Sequence, residues 1–231
     1  METMIECRGV AKRYSRSDVL RDVTFDVARG RVHALLGRNG AGKSTLFSIL
    51  LGLIEPTAGE AIVRTDKVGA SLNGPAFYGH LSARDNLRVH TALQGLPQSE
   101  ADRVLELVGL KGTGRKKAKH FSTGMKARLA LAQTLLGDPE LLILDEPQNG
   151  LDPQGIADLR AILRRYAAAG HTVLVSSHQL GEVVHLADDA TVIAHGTVRY
   201  TGALTDLAPS GQLEDEFFRL TAASAPDGDA A

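Results

Sequence analysis

The residues Gly37-Arg38-Asn39-Gly40-Ala41-Gly42-Lys43-Ser44, with Thr45 after them, have the types and spacing to hold a triphosphate. Glycines let successive backbone N–H groups converge on phosphate oxygens, Lys43 can reach the outer phosphates, and the Ser44 hydroxyl can ligate Mg²⁺. The pattern therefore predicts an ATP cradle over Gly37 to Thr45. Further along, the apolar run Leu141-Leu142-Ile143-Leu144 ends in Asp145-Glu146. An aspartate there suits Mg²⁺ coordination, often through water, and the glutamate suits a general base for an attacking water. Alone, such a run also describes a buried strand that ends in an acidic turn. Beside the glycine loop it points to ATP hydrolysis.

These residues need elements to hold them. Met4 to Val10, Val19 to Val27 and Val32 to Leu36 read as strands, the last apolar apart from His33 and fully buried. A helix is expected from Lys43 through Leu46, Ile49, Leu50 and Leu53, ended by Glu55-Pro56. From Ala83 to Leu136 the chain reads as helical, with a loop at Gln94 to Ser99, a second helix over Glu100 to Val108 and a glycine-broken basic segment over Gly112 to Lys119. Leu141 to Leu144 and Thr172 to Ser176 read as short buried strands joined by a helix over Gly155 to Ala169, as in a parallel sheet with crossover helices. Val192 to Ala194 and Thr197 to Tyr200 read as a hairpin and Leu213 to Leu220 as a tail helix. The small, polar end from Ala222 to Ala231 reads as disordered.

In this order and spacing the chain resembles the nucleotide-binding subunit of an ABC transporter, of the exporter-type drug and bacteriocin resistance class. Phe121-Ser122-Thr123-Gly124-Met125 sits where that family has its signature, Gly150-Leu151-Asp152 resembles its D-loop, and His178 matches its switch histidine. Tyr14 matches the aromatic residue that stacks on adenine. The resemblance implies an α/β fold: a P-loop NTPase, RecA-like core with a small antiparallel β subdomain and an inserted helical subdomain. It implies one domain, with core and β subdomain over 1–73 and 141–206, the helical subdomain over 74–140, a short extension over 207–221 and the tail over 222–231.

Lys43, Glu146 and His178 are the implied catalytic residues, and Mg²⁺ would be held by Ser44 and Asp145. Ser122, Thr123, Gly124 and Met125 would act in trans, with Ser122 and the Gly124 backbone donating to the γ-phosphate held by a second, identical subunit. The sequence departs from the family at two places. Asn73 stands where a glutamine usually contacts the metal and the attacking water, and its shorter arm reaches a metal only through a water. Thr123 replaces a glycine of the signature and Met125 its glutamine, while Ser122 and Gly124 are kept. The ending Leu213-Glu214-Asp215-Glu216-Phe217-Phe218 also resembles exporter-type members.

Composition limits the partners. Lysine plus arginine (26) nearly cancel aspartate plus glutamate (27), which argues against a nucleic-acid binder. Arg115-Lys116-Lys117 with Lys119 reads as a solvated face, with a role near the membrane partner left open. A single cysteine, Cys7, allows no internal disulfide, and the first residues lack the pattern of a secretory signal. Apolar runs fall well short of the roughly 20 residues that span a bilayer, so separate permease chains are expected to supply the membrane part. The expected place is the cytoplasmic face of the membrane. The expected function is ATP-driven export of a small hydrophobic compound, antibiotic, peptide or lipid. An importer subunit and a cytosolic regulatory ATPase of the same family are the alternatives.

Overall fold

The computed structural model describes residues 2–15, 17–72, 76–209 and 212–222. Asn73 and residues 223–231 of the expected tail lie outside them. Strands β1 (Thr3–Tyr14), β2 (Ser17–Ala28) and β4 (Ala58–Val63) form an antiparallel sheet in the order β2-β1-β4. The second sheet runs β5 (Val68–Ser71), β6 (Leu141–Asp145), β7 (Thr172–Ser177), β3 (Val32–Leu36), β8 (Asp189–Ala194) and β9 (Thr197–Ala203), parallel except for β9.

The apolar runs become the centre of that sheet because both its faces are covered. Successive side chains of a strand point to opposite faces, and along β6 Leu141 and Ile143 join one core while Leu142 and Leu144 join another. The first core is closed by the antiparallel sheet and by α1 (Lys43–Leu50), through Met4, Ile5, Phe25, Leu46 and Phe47. The second is closed by α2 (Ala83–Leu93), α3 (Ser99–Leu107), α4 (Thr123–Thr134) and α5 (Pro153–Ala168). A third lies under α6 (Leu180–Leu186), α7 (Leu204–Leu207) and α8 (Leu213–Ala222).

Several boundaries differ from the sequence reading. Helix α1 stops at Leu50, because Gly52 turns left-handed (φ 66°) and Leu53 faces solvent rather than the core. Strand β4 was not expected: its residues have no apolar alternation, and pairing with β1 along one edge holds them extended. The short α6 was not expected either, since seven residues carry too little periodicity. Strand β8 starts at Asp189, β9 runs to Ala203, and α8 takes in Ala222.

Burial also decides two titrating groups. The Cys7 thiol is pushed up to about 12 by burial, which makes it inert as a nucleophile at neutral pH. His33 on β3 is 2% exposed, with Nε2 2.8 Å from Thr191 Oγ1, whose oxygen is 2.9 Å from Thr201 Oγ1. Burial lowers its pKa to about 4, with Asp189 pulling it up and Arg31 pulling it down. The folded state thus refuses a proton that the unfolded chain accepts near 6.5. Stability is therefore full above that value and is lost as pH falls towards 4. Going from pH 7.5 to 5, the parent is expected to lose about 2 kcal/mol more than His33→Leu, in which Thr191 keeps Thr201. Denaturant unfolding at the two pH values checks this, and equal losses would clear His33.

Candidate functional site

The glycine loop leaves the C-terminal end of β3 and enters α1. Its glycines are sterically required at two points. A Cβ on Gly37 would lie 2.6 Å from Ile193 O on β8, and one on Gly42, at φ 104°, would lie 2.6 Å from Leu20 Cδ2. Gly42 is also the N-cap of α1 and makes no side-chain cap bond, so the first N–H groups of the helix remain available to an anion. Lys43 is 7% exposed and donates from Nζ to Gly37 O at 2.7 Å.

Strand order brings the second half of the site to this loop. Because β6, β7 and β3 are neighbours and parallel, their C-terminal ends open onto one crevice. Asp145 at the end of β6 accepts from Ser44 Oγ at 2.7 Å and from Ser176 Oγ at 2.6 Å. Ser176 Oγ also accepts from Glu146 N at 2.9 Å. Glu146 is held at φ 52°, a left-handed conformation that a non-glycine residue rarely adopts and that active sites often store. Its Oε1 lies 3.8 Å from Lys43 Nζ, and its Oε2 contacts His178 Nδ1, just beyond β7. Asn39 to Thr45, Val19, Asp145, Glu146, Asn149 and His178 line a cleft of about 540 Å³.

The other expected residues are placed elsewhere. Tyr14 ends β1 and is 46% exposed, with Lys12 Nζ 5.2 Å from its ring centre, and neither it nor Arg38 lines the cleft. Ser122 caps α4, accepting from Met125 N at 3.2 Å. Ser122 to Met125 do not line the chain's own cleft either. Two of them lie against the D-loop turn instead: a Cβ on Gly150 would collide with the Thr123 methyl, and one on Gly124 would touch Leu151 Cδ2 at 3.8 Å. Asp152 caps α5 through Gly155 N at 2.8 Å.

Sequence reasoning missed Ser176 and Gln148, the latter buried and donating to Ser177 Oγ at 2.7 Å. The available signal was a pair of serines closing an otherwise apolar buried strand. Such hydroxyls need partners, and these partners lie on the next strand and its loop.

Comparison with known proteins agrees with this geometry. The family model described as ABC transporter matches residues 20–149. The chain belongs to the ABC transporter family. Among curated proteins, the lantibiotic transport ATP-binding protein SrtF of Streptococcus pyogenes is 42% identical over 84% of this chain and 89% of its own length. The bacitracin transport ATP-binding protein BcrA of Bacillus licheniformis is 39% identical, covering 85% of this chain and 68% of its own. The solved structure of an ATP-binding subunit of an ABC transporter, 30% identical, superposes with a TM-score of 0.84 over 94% of this chain and 99% of its own. The ABC fold expected from the motifs is the fold observed. The chain is an ATP-hydrolysing subunit of an ABC transporter, a class that works with membrane permease chains and as dimers. Among the described residues no helix is long and apolar enough to cross a membrane.

Proposed function

We propose that this ABC subunit drives export of a small hydrophobic compound, antibiotic, peptide or lipid through separate membrane-spanning chains, from the cytoplasmic face of the membrane. The transport of lantibiotics and bacitracin named for its relatives supports the substrate class. For the ATPase step, the carrying observation is the meeting of Lys43, Asp145, Glu146 and His178 in one cleft with the helix N-terminus. In this reading the loop and Lys43 bind the phosphates of ATP. Glu146 orients the attacking water and takes its proton. His178 holds the Glu146 carboxylate in place, and Ser176 fixes the backbone beneath it.

The donor set fits Mg²⁺. The Ser44 hydroxyl and one Asp145 oxygen are 2.7 Å apart, and no group of three or more His, Cys, Asp or Glu ligands occurs among the described residues. An ion that keeps several waters and takes phosphate oxygens needs no more from the protein. When bound, it would neutralise charge on the outer phosphates. Ser44 and Asp145 would hold it, and Asn73 is a further candidate outside the described residues.

The signature residues lie away from the chain's own cleft, which supports a site completed by a second, identical subunit. Ser122 and Gly124 would then face the partner's γ-phosphate, and Tyr14 the adenine. The same reading divides the chain into a core with its β subdomain (1–73 and 141–206) and a helical subdomain (74–140). Affinity purification from membranes with mass spectrometry tests the proposal. It expects a multi-spanning permease and two copies of this subunit. A complex made only of ribosomal or DNA-bound proteins, or one holding a solute-binding protein, would overturn export.

A further inference from the structure

Between α4 and α5 the packing is open. A cavity of about 630 Å³ separates them, walled by Ala127, Ala130 and Leu131 of α4 and by Leu159, Ala161 and Ile162 of α5. Close apolar contact with α5 therefore does not fix α4 along this stretch, and α4 packs instead on α2, α3 and β5. Polar contact spans it: Arg128 Nη2 donates to Asp158 Oδ2 at 2.7 Å, and Gln154 Nε2 holds the other oxygen, Oδ1, at 2.8 Å. The two side chains are 32% and 39% exposed, so the pair sits at the cavity mouth rather than in open solvent. Arg128 and Asp158 each lie six residues beyond the N-cap of their helix, Ser122 and Asp152. At 1.5 Å per residue the pair joins the helices about 9 Å from both caps. At the caps themselves Thr123 and Gly124 rest on Gly150 and Leu151.

We infer that Arg128 and Asp158 are positioning residues. They form a strut that, with the Thr123–Gly150 contact, makes the signature and the D-loop of one subunit a single rigid unit, presented together to the partner subunit. The inference rests on the shared-site reading above and adds to it what aligns the signature. It also accounts for Thr123: its methyl packs inward on Gly150, where a glycine would leave the two turns free to slide. Neither strut residue lines the ATP cleft, but the cavity they border also reaches Asp145, Glu146 and Asn149 of that cleft, so the ATP affinity of the monomer is what separates a lost approach of two subunits from a disturbed nucleotide site.

The test uses the full chain carrying Glu146→Gln, so that ATP is bound without being consumed. Arg128→Met and Asp158→Asn are each expected to leave the ATP affinity of the monomer within about twofold and the thermal midpoint near the parent's. Each is expected to raise the ATP concentration needed for subunit association about tenfold. In the chain with Glu146 intact, KM for ATP rises about tenfold while kcat at saturating ATP changes little. Arg128→Lys, which keeps the cation, recovers part of the loss. The swap of Arg128→Asp with Asp158→Arg recovers more than the single variants predict. Parent-like association in both single variants, or a swap no better than the singles, would overturn the strut. Ser122→Phe separates this from the underlying reading. If it also associates normally, the shared site itself is wrong. If it blocks association while Arg128→Met does not, only the strut is wrong.

Discussion

Glu146→Gln is expected to lower ATP turnover by about 10² to 10⁴-fold while ATP still binds. The amide matches the carboxylate in size, and the backbone bond from Glu146 N to Ser176 Oγ holds the residue in its left-handed conformation whatever the side chain. What disappears is the ability to take a proton from water. Binding is expected to stay the same or tighten, because a negative charge 3.8 Å from Lys43 is removed from beside the phosphates. Steady-state phosphate release, with ATP affinity measured by calorimetry on the same preparation, checks both halves. A kcat within about threefold of the parent would take the base role from Glu146.

Lys43→Met should act on the opposite quantity. The ammonium is 7% exposed and makes one good bond, to Gly37 O at 2.7 Å, with a second carbonyl, Arg38 O, at 3.5 Å. So buried a cation is incompletely compensated by carbonyls and a carboxylate at 3.8 Å, and a triphosphate answers it far better. Charge-assisted hydrogen bonds are worth about 1.5–3 kcal/mol, so ATP affinity is expected to fall about 10- to 100-fold. Met is similar in length, and Glu146 keeps its contact with His178, so the fold should hold. Calorimetric titration with ATP, together with the thermal midpoint without it, reads this directly. An affinity within twofold of the parent would mean that the loop's backbone carries the phosphates alone.

Much of this site is legible along the chain because its parts are local. The apolar runs at 32–36, 141–144 and 172–175 announce buried parallel strands by their continuity. Gly37 and Gly42 mark a turn that no side chain would allow. Strand β4 is not legible, because an exposed edge containing Gly59 at φ 74° has no pattern of its own and is held by β1. Ser176 escapes notice because its two partners, Asp145 and Glu146, become neighbours only when β6 pairs with β7.

The sequence by itself determined the chemistry that consecutive residues can encode: a phosphate-holding loop and a strand ending in two carboxylates. Backbone geometry and side-chain periodicity over a few residues are enough for those. Only the tertiary structure decided which of these parts share a cleft. Burial of both faces of the six-stranded sheet sets the order β6-β7-β3 and so brings Ser44, Asp145, Glu146 and His178 together. Beside the open cavity between α4 and α5, Thr123 against Gly150 seats the signature on the D-loop, and Arg128 joins Asp158 at the cavity mouth.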